Sequence, residues 1–177
     1  IPRNRDTMIW LWGIYIALNL FQILLLCAGG MSLFDSLCHA FGTVSTSGYS
    51  PYNASIGHYN NAYFDWVIIV FMFLGGMTFM LFYHMVMGNW QIIRINTELR
   101  WYLCLVFFFC GMVTLILWQA DIYHIADAVR YGTFQVISLL TTTGFTTADY
   151  ETWPHSAQMF LYAVCFIGAC AGSTTSG

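Results

Sequence analysis

The sequence predicts an all-α polytopic membrane protein, and three observations support this fold class. Charged residues make up only 7% of the 177 residues, while 59% are hydrophobic and the mean hydropathy is +0.66. Soluble domains carry roughly 25% charged residues, so this chain has too few to cover a water-exposed surface. Four apolar stretches also approach or exceed the ~20 residues that a helix needs to cross a bilayer. Lipid is therefore the expected solvent.

The four apolar stretches define the predicted spans. Tryptophan or tyrosine lies near most of their ends, as expected where amphipathic rings sit at the membrane–water interface. The spans are predicted at Met8–Met31, Trp66–Met87, Trp101–Trp118 and from Ala157–Ala171 onward.

A short glycine-centred motif occurs twice, each time between two apolar stretches. The first copy is Ser45-Thr46-Ser47-Gly48-Tyr49-Ser50, and the second is Thr141-Thr142-Thr143-Gly144-Phe145-Thr146. Each copy has three hydroxyl residues, glycine, an aromatic residue and a further hydroxyl residue. Such self-similarity indicates a duplicated unit. We therefore expect two repeats, residues 1–98 and residues 99–177, each formed by a span, a glycine loop and a second span.

Each motif follows a segment that is predicted to be a short helix. Ser32–Phe41 is too short to span and has apolar residues at helical spacing, with Ser32 as N-cap and Asp35 in the first turn. Ile125–Ser138 is the equivalent segment of the second repeat. A short helix that returns as extended backbone forms a re-entrant loop, and its C-terminal end presents partial negative charge at membrane depth.

The charges predict the orientation of the chain. Arg3, Arg5, Arg94 and Arg100 precede the first span or join the second span to the third. The segments that hold the motifs carry six acidic residues against the single Arg130; the acids are Asp35, Asp65, Asp121, Asp127, Asp149 and Glu151. By the positive-inside rule, both termini and the middle linker face the cytoplasm and the motif loops face outward.

The composition of the motif suits the passage of a dehydrated cation. Several oxygens must replace the hydration shell together, and backbone carbonyls commonly do so. Gly48 and Gly144 suit the positions where the chain turns through angles that other residues resist. Tyr49 and Phe145 are expected to support the loops from behind. The alternative, that both glycines merely end helices, is less consistent with two matching copies on one side.

At these residues the chain resembles the Trk/Ktr/HKT superfamily of potassium uptake proteins, closest to the bacterial Trk membrane subunit. The resemblance rests on Phe41–Ser50, on Phe134–Thr147, on the ending Gly168–Gly177 and on Asn96–Arg100. Family members carry four such repeats around one pore, and this sequence is similar to repeats two and three. Thr78 departs from the family, because relatives often have asparagine there.

The resemblance implies specific sites and partners. Potassium is expected to bind the carbonyls of Thr46, Ser47 and Gly48 in one repeat, and those of Thr142, Thr143 and Gly144 in the other. The movable gate loop is expected at Gly172, Ser173, Thr174, Thr175 and Gly177. A homodimer in the cell inner membrane, a cytosolic nucleotide-binding regulatory subunit and K⁺ as the transported ion are implied. Neither a catalytic cofactor nor a nucleic-acid partner is expected.

Other functions remain open at this point. A sodium/potassium co-transporting relative is the nearest alternative, although glycine in both motifs favours potassium. An intramembrane hydrolase would need an activated serine with an adjacent base, and no G-x-S-x-G occurs. A non-conducting scaffold would be built around His84. His39 is expected to hydrogen-bond across a repeat interface, and the Gly75-Gly76 pair is expected to admit a close neighbour more readily than to bend the second span.

Overall fold

The computed structural model describes residues 2–175, with side chains from Met8 onward, and this part of the chain contains α- and 3₁₀-helices and no strand. The all-α prediction is therefore confirmed. The α-helices are α1 (Pro2–Ala28), α2 (Leu33–Val44), α3 (Ala62–Gly75), α4 (Phe79–Val86), α5 (Trp90–Ile95), α6 (Thr97–Gln119), α7 (Ile125–Leu140) and α8 (His155–Ile167); 3₁₀ turns lie at Ser55–Tyr59 and Tyr150–Thr152.

Among the described residues, two helices are long and apolar enough to cross a membrane by themselves. They comprise Met8–Ala28 of α1 and the whole of α6. Large apolar side chains cover their outer surfaces, including Trp12, Leu24 and Phe107, which are 66%, 66% and 74% exposed. Exposed apolar surface of this extent fits a helix that faces lipid.

The second predicted span is not one continuous helix in the structure. Residues 66–87 divide into α3 and α4, which meet at an angle of 93° across a break of a few residues. The Gly75-Gly76 pair stands at this break, so the bend that was the less favoured alternative does occur. Close packing occurs there as well, because a Cβ on Gly76 would come within 2.8 Å of the Thr141 side chain.

The fourth predicted span also ends earlier than expected. Helix α8 stops at Ile167, and Gly168 has a left-handed φ of 72°. The chain then continues as a loop, residues 168–175, which begins four residues before the expected start at Gly172. A glycine in the left-handed region ends a helix at little steric cost, whereas a side chain there would be strained.

The short helices α2 and α7 each pack against more than one neighbouring helix. Helix α2 packs against α1 and α3, helix α7 packs against α6 and α8, and α3 also contacts α7. The core between them includes Ile68, Met72, Phe134 and Leu140, whose side chains are fully buried. Contact between α3 and α7 brings the ends of the two short helices, and thus the two motifs, to one place.

Candidate functional site: two glycine loops and a docked loop

The two glycine motifs form loops with the same backbone course. Ser45 and Thr141 end helices α2 and α7, as their C-cap residues. Thr46 and Thr142 then have φ of 53° and 54°, and Gly48 and Gly144 have φ of 67° and 82°. Left-handed angles at alternate positions exclude both a helix and a regular strand. For the two threonines such angles are uncommon and strained, and strain of this kind is found at functional sites.

The hydrogen bonds of the two loops also match position by position. The amides of Ser47 and Gly48 both donate to the Gly42 carbonyl, at 3.0 and 3.2 Å. In the second loop the amides of Thr143 and Gly144 both donate to the Ser138 carbonyl, at 2.8 and 3.2 Å. The loop N–H groups are therefore bound to the last turn of each short helix.

Hydroxyl groups repeat the same pattern. Ser45 Oγ donates to the Phe41 carbonyl and lies 3.0 Å from Ser47 Oγ. Thr141 Oγ1 donates to the Ile137 carbonyl at 2.7 Å and lies 2.8 Å from Thr143 Oγ1. The hydroxyl residues of the motif thus hold each loop against its own helix, which explains why the motif needs several of them.

The two loops meet at their glycines. A Cβ built on Gly48 would lie 1.9 Å from the carbonyl oxygen of Thr143 and 3.5 Å from the carbonyl carbon of Gly144. Even alanine cannot replace Gly48 unless the backbone of the second loop moves. The prediction that the loops lie together therefore agrees with the geometry at Gly48, Thr143 and Gly144.

Beyond the glycines, further hydrogen bonds join the two halves. The Gly57 amide donates to the Thr146 carbonyl at 3.1 Å, and the Thr146 amide donates to Ser55 Oγ at 3.3 Å. These bonds fix the exit of the second loop against the 3₁₀ turn that follows the first.

The two aromatic residues of the motif differ in their surroundings. Phe145 is fully buried, and its carbonyl accepts from Ser138 Oγ at 2.6 Å. Tyr49 is 81% exposed. In the described part of the chain, Phe145 therefore packs in the core and Tyr49 lies at the surface; support of the two loops by these rings stays a prediction.

His39 lies beside both loops and is fully buried. Its ring nitrogens are 2.8 Å from the Asp35 carbonyl and 3.1 Å from Ser50 Oγ, both in its own half of the chain. The expected hydrogen bond across the repeat interface is therefore wrong, although the ring does contact Phe145 of the other half.

The loop at residues 168–175 docks into the break between α3 and α4. The Cys170 amide donates to the Gly76 carbonyl at 3.2 Å, and Thr174 Oγ1 donates to the Gly75 carbonyl at 3.0 Å. In return, the Phe79 amide donates to the Gly172 carbonyl at 3.2 Å. Two breaks in apolar helices thus satisfy each other's backbone groups, as irregular backbone at membrane depth requires.

Side chains secure this loop at both ends. Thr46 Oγ1 of the first glycine loop donates to the Thr174 carbonyl at 2.9 Å. At the other end, Glu98 Oε1 accepts from the Ala171 amide at 2.6 Å, and Thr78 Oγ1 donates to the Ala171 carbonyl at 2.9 Å. Of the expected gate residues, Gly172, Ser173, Thr174 and Thr175 lie in the docked loop, while Gly177 lies outside the described residues.

Sequence reasoning missed three of these residues as parts of the site. The sequence assigns Glu98 no role beyond its place in the segment Asn96–Arg100, and it marks Thr78 only as a departure from the family. Asp65 was counted among the outer acids, but it is 3% exposed and its Oδ2 lies 3.5 Å from Arg130 Nε of α7. A glutamate in the linker between two apolar segments and an acid directly before an apolar segment are the signals that could have indicated Glu98 and Asp65.

No group of three or more His, Cys, Asp or Glu side chains suited to a metal ion occurs within residues 2–175. The chemistry of the site as described is therefore that of hydroxyl groups and main-chain amides, together with the Glu98 carboxylate.

Re-entrant short helices, paired glycine loops and broken spans define a membrane transport protein. Residues 1–177 match a protein-family model described as "TrkH: Cation transport protein". The chain belongs to this family.

Similar proteins are named for potassium uptake. The Trk system potassium uptake protein TrkH of Halomonas elongata is 34% identical over 184 residues, which cover 99% of this chain and 37% of that protein. The protein of the same name from Escherichia coli K12 is 33% identical over 178 residues, with coverage of 99% and 37%. The crystal structure of the potassium transporter TrkH from Vibrio parahaemolyticus matches with a TM-score of 0.91 at 29% identity, over 100% of this chain and 39% of that one.

The chain thus spans less than half the length of the relatives it matches. Their names describe transporters and not enzymes. The hydrolase alternative has no support among them.

Proposed function

We propose that this chain forms two of the four quarters of a potassium-conducting pore in the cell inner membrane, and that the whole protein takes up K⁺. The two quarters are residues 1–98 and residues 99–177. The observation that carries this proposal is the meeting of two loops with matching backbone angles and matching hydrogen bonds at Gly48 and Thr143.

The loops can serve as a selectivity filter because their polar groups are divided between two tasks. The amides of Ser47, Gly48, Thr143 and Gly144 bind the ends of the short helices. The carbonyls of Thr46, Ser47 and Gly48, and those of Thr142, Thr143 and Gly144, would then coordinate dehydrated K⁺ in turn. The electronegative C-terminal ends of α2 and α7 lead directly into the two loops, where they would favour a cation.

The docked loop would control passage below this filter. Residues 168–175 form hydrogen bonds to the α3–α4 break and to Thr46, so their release would change the path beside the filter. We propose that this loop is the gate, with Gly172, Ser173, Thr174 and Thr175 as its described members and Gly177 as its continuation. Its opening would be controlled by a cytosolic nucleotide-binding subunit, and the whole protein would be a homodimer.

Glycine in both loops favours potassium over sodium. Sodium/potassium co-transport would fit a loop with serine in place of one glycine, and neither Gly48 nor Gly144 is so replaced. The membrane potential would drive uptake, at ~2.3 kcal/mol per charge per 100 mV.

The experiment that tests this function is potassium-limited growth of an uptake-deficient bacterium that expresses the full-length parent protein. The parent is expected to restore growth. Gly48→Ser is expected to abolish rescue or to admit sodium, because its Cβ would meet the Thr143 carbonyl. Gly111→Ser is the matched control, since a Cβ at Gly111 meets nothing within 4 Å in the described residues. No rescue by the parent would refute potassium uptake, and full selective growth with Gly48→Ser would remove this loop from the pathway.

A further inference from the structure

His39 lies between the two glycine loops and contacts both halves of the chain. It is fully buried in α2, and its ring lies 5.8 Å, centroid to centroid, from that of Phe145. Phe145 directly follows Gly144 of the second loop. The Nε2 atom lies 3.1 Å from Ser50 Oγ, which is two residues after Gly48 of the first loop. One side chain therefore touches the exits of both loops.

The hydrogen-bond partners of His39 allow one neutral tautomer. Nδ1 lies 2.8 Å from the Asp35 carbonyl, which can only accept, so Nδ1 carries the hydrogen. Nε2 of the neutral ring is then an acceptor, and Ser50 Oγ donates to it. Ser50 Oγ in turn accepts from the Tyr52 amide at 3.2 Å. A directed chain of bonds thus links the backbone after the first loop to the body of helix α2.

The ring of His39 is held on its other sides by aromatic groups. Tyr59 packs edge-on against it at 5.7 Å between centroids, and Phe145 packs at a tilt of 44°. Such packing leaves the imidazole little freedom to rotate, so the position of Ser50 relative to Phe145 is fixed by one rigid side chain.

We propose that His39 is a positioning residue that sets the separation of the two glycine loops and thereby their discrimination between K⁺ and Na⁺. This inference rests on the proposed filter function. K⁺ and Na⁺ differ in size and in the number of oxygens that suit them, so discrimination depends on how firmly the carbonyls are held. His39 contacts the exits of both loops and is therefore placed to hold their carbonyls in position.

The test compares variants of the full-length protein by the ratio of rubidium uptake to sodium uptake in vesicles. His39→Phe keeps an aromatic ring against Phe145 and removes both hydrogen bonds. Ser50→Ala leaves the histidine in place and removes only its bond to Ser50 Oγ. Each is expected to lower the Rb⁺/Na⁺ ratio roughly fivefold, the effect of about one buried hydrogen bond. The double variant is expected to match His39→Phe alone, because the bond between His39 and Ser50 is already absent there.

His155→Phe is the matched control, since His155 is exposed at the start of α8; it is expected to leave the ratio unchanged. A loss of transport with an unchanged ratio in His39→Phe and Ser50→Ala would show a merely structural role and overturn the proposal. If His39→Phe does not accumulate in the membrane, Ser50→Ala alone decides. Absence of selective rubidium uptake by the parent would instead refute the proposed function itself.

Discussion

The hydroxyl of Thr46 donates a hydrogen bond to the main-chain carbonyl of Thr174 across 2.9 Å. Thr46 belongs to the first glycine loop, and Thr174 belongs to the loop that docks between α3 and α4. Thr46 also has a left-handed φ of 53°, an angle that threonine seldom adopts. This bond connects the proposed filter directly to the proposed gate. A substitution at either residue should therefore alter how firmly the other is held.

Removal of this bond should favour release of the docked loop. Thr46→Val keeps the shape and the branched Cβ but has no hydroxyl, which leaves the Thr174 carbonyl without this donor. We expect basal potassium uptake, measured without added nucleotide, to rise roughly fivefold for about 1 kcal/mol of lost docking. Thr46→Ser keeps the hydroxyl and is the control. Equal basal uptake in the parent, Thr46→Val and Thr46→Ser proteins would show that this bond does not couple the proposed filter to the proposed gate.

The Glu98 carboxylate should stabilise the docked loop. It accepts from the Ala171 amide at 2.6 Å, and its other oxygen lies 3.4 Å from Thr78 Oγ1. Glu98→Ala removes both contacts, and basal uptake is expected to increase several-fold. Glu98→Gln retains an oxygen acceptor and should show a smaller increase. Thr78→Val should add little to Glu98→Ala if the two side chains act through one cluster; fully additive effects would argue against a shared role.

The Asp65–Arg130 ion pair should matter for stability more than for selectivity. It joins α3 to α7 at 3.5 Å, with side-chain exposures of 5% and 15%. Asp65→Asn removes the buried partner of Arg130 and leaves it only the more exposed Asp127, so the cost should approach but not exceed the loss of about 3–5 kcal/mol for a broken buried pair. We expect a clearly lower unfolding temperature in detergent.

The matched control for this pair is Asp127→Asn, which removes the more exposed partner of Arg130, 47% exposed at 3.2 Å. It should change the unfolding temperature little. A similar small effect for both variants would show that the α3–α7 contact does not depend on the buried pair.

The two glycines of the loops should differ in their sensitivity to alanine. Gly48→Ala would place a methyl group 1.9 Å from the Thr143 carbonyl, whereas a Cβ at Gly144 meets no atom within 4 Å in residues 2–175. Both substitutions also carry the cost of positive φ, about 1–2 kcal/mol. When this two-repeat chain is expressed alone, Gly48→Ala should lower its thermal stability more than Gly144→Ala does. The reverse order would contradict the described contact between the loops.

Local chemistry allowed much of the fold to be predicted. The apolar lengths of α1 and α6, the Ser32 cap and the paired motifs all depend on residues near one another in sequence, and the structure has each of them. Ser32 Oγ accepts from the Asp35 amide at 3.1 Å, as the capping pattern predicts.

Features that depend on distant partners were not predictable in the same way. Residues 66–87 are apolar on both sides of Gly75-Gly76, so hydropathy gives no sign of the 93° turn there. The turn is stabilised by bonds from Cys170 and Thr174, far along the chain. Likewise, His39 bonds to Ser50 and not across the interface, because the fold places the Phe145 ring on that side.

The most direct test of the central claim is anomalous diffraction from crystals of the full-length protein grown in rubidium. The account predicts a rubidium peak in direct contact with main-chain carbonyl oxygens from both loops, among them those of Thr46–Gly48 and Thr142–Gly144. A well-ordered pair of loops with no rubidium between them, and ions bound elsewhere along the membrane-spanning region, would contradict it.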